Sequence, residues 1–143
     1  MRNTVRALAS LMFASGAALA NGPSPEEAVL ESLLRYLLND AKAAKTICVG
    51  GYDVEQVATV RARVKADVPT ITEYSECPKL EMGSRQTAYV RIWLGAAIRV
   101  NEHEFIARGE IYRNPLNSYD TVYKLRIKDG AWTVIGAEPG VVS

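Results

Sequence analysis

Hydrophobic and polar residues alternate most clearly near the C-terminus, in two runs joined by Asp129-Gly130. The first run, 120–128, places Thr121, Tyr123, Leu125 and Ile127 on one side and Val122, Lys124, Arg126 and Lys128 on the other. The second run, 131–137, contains Trp132, Val134 and Ile135. A two-residue type I′ turn needs positive φ at both central residues, so Asp-Gly between two alternating runs predicts a β-hairpin.

Two further strands are predicted just before this hairpin. Residues 87–100 form an unusually long alternating run, and Gly95 marks a bend or bulge within it. Residues 101–103 predict a turn, and residues 105–112 predict a strand that returns beside the long one. One face of the long run is predicted to contain Ala88, Val90, Ile92, Leu94, Ala96, Ile98 and Val100.

The pattern near the N-terminus is helical instead. Ser24 and Pro25 suit the cap and first turn of a helix, and Glu27 completes a capping box. Five leucines then follow at helical spacing and form one apolar stripe: Leu30, Leu33, Leu34, Leu37 and Leu38. The stripe favours packing on this protein's own sheet. The alternative, a helix for a partner or a membrane surface, lacks the usual basic enrichment.

Residues 46–77 predict a strand, a helix and a second strand. The first strand covers 46–50, Asp53 caps the helix, and the second strand covers 68–75 with Pro69 near its start. Proline cannot donate to a ladder, so the second strand is expected at or near an edge. A strand over 60–65 remains an alternative to the helix, since those residues also alternate. The chain is therefore predicted to be a single α+β domain: two helices on a curved, mostly antiparallel sheet with one strand-helix-strand crossover.

The first twenty of the 143 residues are predicted to be a signal peptide. Arg2 and Arg6 precede a mostly apolar run over 7–20, which ends in the small-x-small pattern Ala18-Leu19-Ala20. The run is too short to cross a hydrocarbon core of about 30 Å comfortably. We therefore expect a domain over 21–143, in the periplasm or secreted, with no membrane span after cleavage.

The charge balance excludes one broad class of partner. The whole chain has 17 basic and 16 acidic residues, and loss of Arg2 and Arg6 leaves 15 against 16, a net charge of −1. Binding to nucleic acid or to an anionic membrane surface normally needs a basic patch. No nucleic-acid partner is predicted.

Cys48 and Cys77 are the two cysteines of the chain. In an oxidising compartment, two cysteines most simply form one disulfide. Two free buried thiols or a reactive pair are the alternatives, but the C-x-x-C spacing of a redox pair is absent. The pair is expected to lie on the two strands that the crossover helix joins.

The sequence predicts no catalytic residue, no metal site and no cofactor. His103 is the only histidine, and it cannot build a zinc cage with two bridged cysteines. No serine lies in the G-x-S-x-G motif of a nucleophile elbow, and the sequence has no glycine-rich phosphate loop. Five aromatic residues are candidates for lining a small-molecule pocket, although ordinary packing is the favoured interpretation. They are Tyr89, Trp93, Tyr112, Tyr123 and Trp132.

The long bent strand and the hairpin over 123–135 resemble the C-terminal sheet of the NTF2-like superfamily, which includes SnoaL and ketosteroid isomerase. The resemblance covers about residues 87–137 and the leading helix. It implies a cone-shaped pocket between helix and sheet and, in enzymatic members, isomerase or dehydratase activity on a small apolar molecule. No catalytic motif of that superfamily matches residue by residue.

Three functions follow from these patterns as hypotheses. The favoured one is an exported, non-enzymatic binding or protein-interaction module, whose partner is a small apolar ligand or another exported protein. The alternatives are an NTF2-like isomerase or dehydratase, and an inhibitor or immunity-type protein. A deep apolar pocket with an inward carboxylate favours the enzyme, whereas a filled core with an exposed aromatic patch favours protein binding.

Overall fold

The computed structural model describes residues 22–41, 43–78, 89–114 and 117–140. Six strands form one open sheet in the order β2-β1-β3-β4-β5-β6, with two helices beside it. This confirms the predicted α+β class. The predicted signal peptide lies outside the described residues. The elements are α1 (Pro25–Leu38), β1 (Thr46–Gly51), α2 (Val54–Lys65), β2 (Ile71–Glu73), a 3₁₀ turn (Tyr74–Glu76), β3 (Tyr89–Asn101), β4 (Glu104–Asn114), β5 (Asn117–Lys128) and β6 (Ala131–Pro139).

Both helices begin where their caps predict. The Ser24 side chain accepts a hydrogen bond from the Glu27 N–H, with Pro25 in the first turn of α1. The Asp53 carboxylate accepts one from the Gln56 N–H at the start of α2. Because α2 continues to Lys65, the alternative strand over 60–65 is wrong. These side chains satisfy N–H groups that have no partner inside the helix.

The middle of the chain forms the predicted crossover, but its second strand is shorter than expected. β1 lies parallel to β2 and to β3. The chain turns until Ile71, whose N–H donates to the Val68 carbonyl, so β2 holds three residues and not the predicted 68–75. Cys77 follows the 3₁₀ turn, so the expectation that both cysteines lie on strands is wrong for Cys77.

The long strand contains the predicted irregularity, and the irregularity reverses its faces. The β3–β4 register shifts between Leu94 and Ala97, beside Gly95. An extra residue in one strand moves all later side chains to the opposite face. Ala97 therefore packs against the core, whereas Ile98 and Val100 are 57% and 54% exposed. The prediction that one face of this strand is apolar throughout is wrong after Gly95 for this reason.

Both helices cover the same face of the sheet, which we call the helix face. All five leucines of the α1 stripe are buried there, together with Val57, Val60 and Val64 of α2. They meet Ile92, Leu94, Phe105 and Leu125 from the strands. The helix stripe is thus used inside this protein, as the sequence favoured.

The C-terminal hairpin has the predicted turn. Asp129 and Gly130 have φ values of 51° and 79°, and Lys128 pairs with Ala131 across the turn. Positive φ at both central positions matches the right-handed twist of the flanking strands. The hairpin ends the sheet, so β6 is one of its two edge strands.

Candidate binding surface

The face of the sheet opposite the two helices is the candidate functional surface, and we call it the open face. Its residues are fixed by strand register, since paired residues point to the same side. From β1 to β5 it includes Cys48, Gly50, Arg91, Trp93, Ile98, Ile106, Arg108, Glu110, Tyr112, Asp120 and Lys124. Many of these side chains are half-buried or exposed in the described structure.

An aromatic cleft lies at the carboxyl end of β1. Tyr74 and Trp93 meet edge to face, with ring centroids 5.2 Å apart. Gly50 lies beneath them, and a Cβ at that position would come within 2.7 Å of the Tyr74 Cβ. The cleft has a volume of about 340 Å³, and Val54 and Arg61 also line it. Glycine at position 50 therefore permits the close approach that places Tyr74 beside Trp93.

The disulfide and Arg91 hold Tyr74 in this position. Cys48 and Cys77 are bonded with their Cα atoms 5.9 Å apart, which confirms the predicted pair. The Arg91 guanidinium donates to the carbonyls of Cys77 and Pro78 at 2.7 Å each, and it lies 5.1 Å from the centre of the Tyr74 ring. The 3₁₀ turn is thus fixed to β1 covalently and to β3 by charge-assisted hydrogen bonds and a cation–π contact.

An apolar patch continues the open face along β3 and β4. Ile98 pairs with Ile106 across the two strands, and Val100 follows at the end of β3. At about 3.3 Å per residue, Ile98 lies roughly 16 Å along the strand from Trp93. Because the bulge at Gly95 turns Ile98 outward, the patch and the aromatic cleft belong to one face.

Charged groups on the open face are balanced and largely paired with one another. Glu104 contacts Lys124 at 3.4 Å and Arg126 at 3.0 Å, and Arg108 lies 3.4 Å from Asp120. The hydrogen bond to Arg126 lowers the pKa of Glu104. Hydrogen bonding with Glu110 raises the pKa of Tyr112. In the part of the chain that the structure describes, this pairing leaves aromatic and apolar side chains as the main groups of the open face without a partner.

Glu104→Gln is expected to lower stability at neutral pH and to lose that effect in acid. A carboxyl group with a depressed folded-state pKa stabilises the fold above its unfolded pKa, and this contribution disappears as pH falls through the folded value. The melting temperatures of the two proteins should therefore converge as pH falls below the ordinary glutamate pKa of about 4.3. Thermal melts between neutral and acidic pH test this. A gap that stays constant over the whole range contradicts the role given to Glu104.

The five aromatic residues suggested as a pocket lining do not share one surface. Trp93 and Tyr112 lie on the open face. Tyr89 is four residues before Trp93 in β3 and lies on the same face of that strand. Tyr123 is buried under α1 beside Tyr36, and Trp132 packs on the Phe105 ring at 5.1 Å. Burial raises the pKa of Tyr123. One pocket lined by all five is excluded because the sheet lies between the two groups.

The described residues offer little for metal or acid–base chemistry. His103 is exposed in the β3–β4 turn, where its N–H donates to the Asn101 side chain. Across 22–41, 43–78, 89–114 and 117–140, no group of three His, Cys, Asp or Glu residues could hold a metal ion. Neither helix in this part of the chain has the length and apolar character needed to cross a membrane.

Sequence reasoning missed two members of the surface. Tyr74 was placed inside a regular strand, and its position over Gly50 depends on the 3₁₀ turn and the disulfide. Ile98 was predicted to share the face of Ile92 and Leu94, because the alternation was continued through Gly95. The glycine itself was the signal that could have identified the change of face.

Comparison with known proteins does not add a family to this description. The chain matches no protein-family model, no curated protein and no solved structure.

Proposed function

We propose that this chain is an exported, non-enzymatic binding module that recognises another exported protein through the open face. The observation that carries the proposal is one sheet with two unlike faces. The helix face carries the protein's own core, with a cleft of about 280 Å³ at its margin beside Arg35, Leu38 and Ile47. The open face presents Tyr74, Trp93, Arg91 and the Ile98–Ile106 pair. Tryptophan, tyrosine and arginine are the residues most enriched at the energetic centres of protein interfaces.

The proposed partner is a protein because of the shape and charge of the surface. The open face runs roughly 16 Å from Trp93 to Ile98, which is long for a single small molecule. Glu104 is paired with Lys124 and Arg126, and Asp120 is paired with Arg108. The described residues of this face therefore form no unneutralised basic stripe of the kind that a nucleic acid needs. Aromatic and apolar contacts are expected to supply most of the binding energy.

Catalysis is less well supported by the arrangement of acidic groups. Catalytic members of the NTF2-like superfamily use acidic, histidine or tyrosine groups that project into a cone-shaped pocket. In the described part of the chain the buried acidic residue is Glu104, and it lies on the open face in ion pairs with Lys124 and Arg126. An inhibitor or immunity-type protein is one form of the proposed module, and the partner's identity would establish it.

Export is part of the same proposal. The disulfide between Cys48 and Cys77 suits an oxidising compartment, as does the predicted signal peptide over 1–20. A periplasmic or extracellular location would bring the open face into contact with other exported proteins.

The test is affinity capture from periplasmic and secreted extracts with three forms of the oxidised protein. Wild type and Ile127→Glu should retain the same exported protein, and Ile98→Glu should lose at least about 90% of it, because burying an unpaired charge in an interface costs several kcal/mol. Ile98 and Ile127 are 57% and 40% exposed, so both substitutions should leave the fold intact. Equal capture by Ile98→Glu, or no protein retained by wild type, would contradict the proposal.

A further inference from the structure

The free edge of β6 is the second unpartnered feature of the sheet. β2 and β6 are the two edge strands, with three and nine residues respectively. Natural sheets protect long edges with charges, prolines or bulges. The segment 131–134 of β6 contains no charge, no proline and no bulge, while the bulge at Ile135, Glu138 and Pro139 follow it. Among the described residues, the first half of this edge is therefore open to another extended chain.

Hydrogen bonding across the hairpin shows which main-chain groups are available. The Ile127 N–H donates to the His103 carbonyl, on the β4 side of β5, so it does not bond to Trp132 opposite. Antiparallel pairs alternate between bonded and non-bonded. Lys128–Ala131 and Arg126–Thr133 are therefore the bonded pairs. The N–H and C=O groups of Trp132 and Val134 point away from β5, toward the open edge.

The side chains of this segment are complementary to a second copy of themselves. In an antiparallel pairing centred on Thr133, Trp132 of each copy lies opposite Val134 of the other copy. The two Thr133 residues lie opposite each other. Aromatic–β-branched pairs and threonine pairs are both favourable across strands. Ala131 meets Ile135, which is 43% exposed. No charged residue meets another within 131–135.

We infer that the protein forms a two-fold dimer in which β6 pairs with β6 of a second copy about Thr133. Trp132 and Val134 of each chain exchange four main-chain hydrogen bonds with the other chain. Their side chains, partly buried against the core on the helix face, are covered further by the partner strand. A contact of this size belongs with weak interfaces, and a dissociation constant on the order of 100 µM is expected. The open face remains free in this dimer.

Charge substitutions at Thr133 test the proposed axis. Thr133→Glu places two carboxylates opposite each other in the dimer, while in the monomer the new group lies opposite Arg126. Sedimentation equilibrium of the oxidised protein should show at least about tenfold weaker association than wild type, because like charges directly opposed are costly. Thr133→Lys should show the same loss, and an equimolar mixture of the two variants should associate again as a heterodimer.

Ile98→Glu is the matched control, because it adds the same charge at an exposed position away from the edge. It should dimerise like wild type while losing partner capture, and Thr133→Glu should capture the partner while staying monomeric. The dimer and the binding of a partner by the open face can therefore be tested independently of each other. A monomeric wild type up to about 1 mM, a Thr133→Glu variant that dimerises normally, or a mixture that does not associate would overturn the dimer.

Discussion

Replacing Phe105 by alanine is expected to destabilise the protein by about 3–5 kcal/mol. Phe105 is fully buried at the centre of the helix face. Its ring meets Trp132 edge to face at 5.1 Å, and the Arg99 guanidinium lies 4.8 Å from the ring centre. Alanine removes the apolar burial, the aromatic pair and the cation–π contact together, and it leaves a cavity between β4 and β6.

Urea unfolding measures this change directly. Ile98→Ala is the control, since Ile98 is exposed and its truncation should alter the free energy of unfolding by less than about 0.5 kcal/mol. If Phe105→Ala costs no more than the control, the position of Phe105 at the centre of the core is contradicted.

Removing the disulfide is expected to cost about 3–4 kcal/mol in the chain-entropy view of cross-links. The bond joins residues 29 apart and encloses α2, β2 and the 3₁₀ turn. Domains of this size have total stabilities of roughly 5–15 kcal/mol, so the loss is a large fraction. Tyr74 should also lose its fixed position over Gly50, because the covalent link from Cys77 to β1 is gone.

The Cys48→Ala/Cys77→Ala protein should melt roughly 10–20 °C below oxidised wild type. Reduced wild type should melt close to the double variant, which separates loss of the cross-link from any effect of the new side chains. Thiol alkylation under denaturing conditions confirms which form is present. An unchanged melting temperature would remove the structural role assigned to the bond.

Local signals predicted the parts of this fold that depend on neighbours in sequence. The caps Ser24 and Asp53, the leucine stripe of α1 and the Asp129-Gly130 turn each act within a few residues, and each was predicted correctly. The disulfide followed from the number of cysteines and the predicted compartment. These features need no knowledge of strand order.

Predicting which residues lie on the open face requires long-range geometry that the alternation of hydrophobic and polar residues does not contain. A single bulge at Gly95 exchanged the faces of Ala97 and Ile98, and a 3₁₀ turn in place of a longer β2 carried Tyr74 over Gly50. Both depend on contacts between residues far apart in sequence. For the same reason, the division of Trp93 and Tyr123 between opposite faces required the strand register.

The most direct test of the open face as a binding surface is hydroxyl-radical footprinting of the oxidised protein, with and without its captured partner. Modification of Tyr74, Trp93 and Ile98 should fall when the partner is bound. Tyr36, which lies on α1 and is 45% exposed, should be modified equally in both states. Protection of Tyr36 with unchanged modification of Trp93 and Ile98 would place the partner on α1 and contradict binding through the open face.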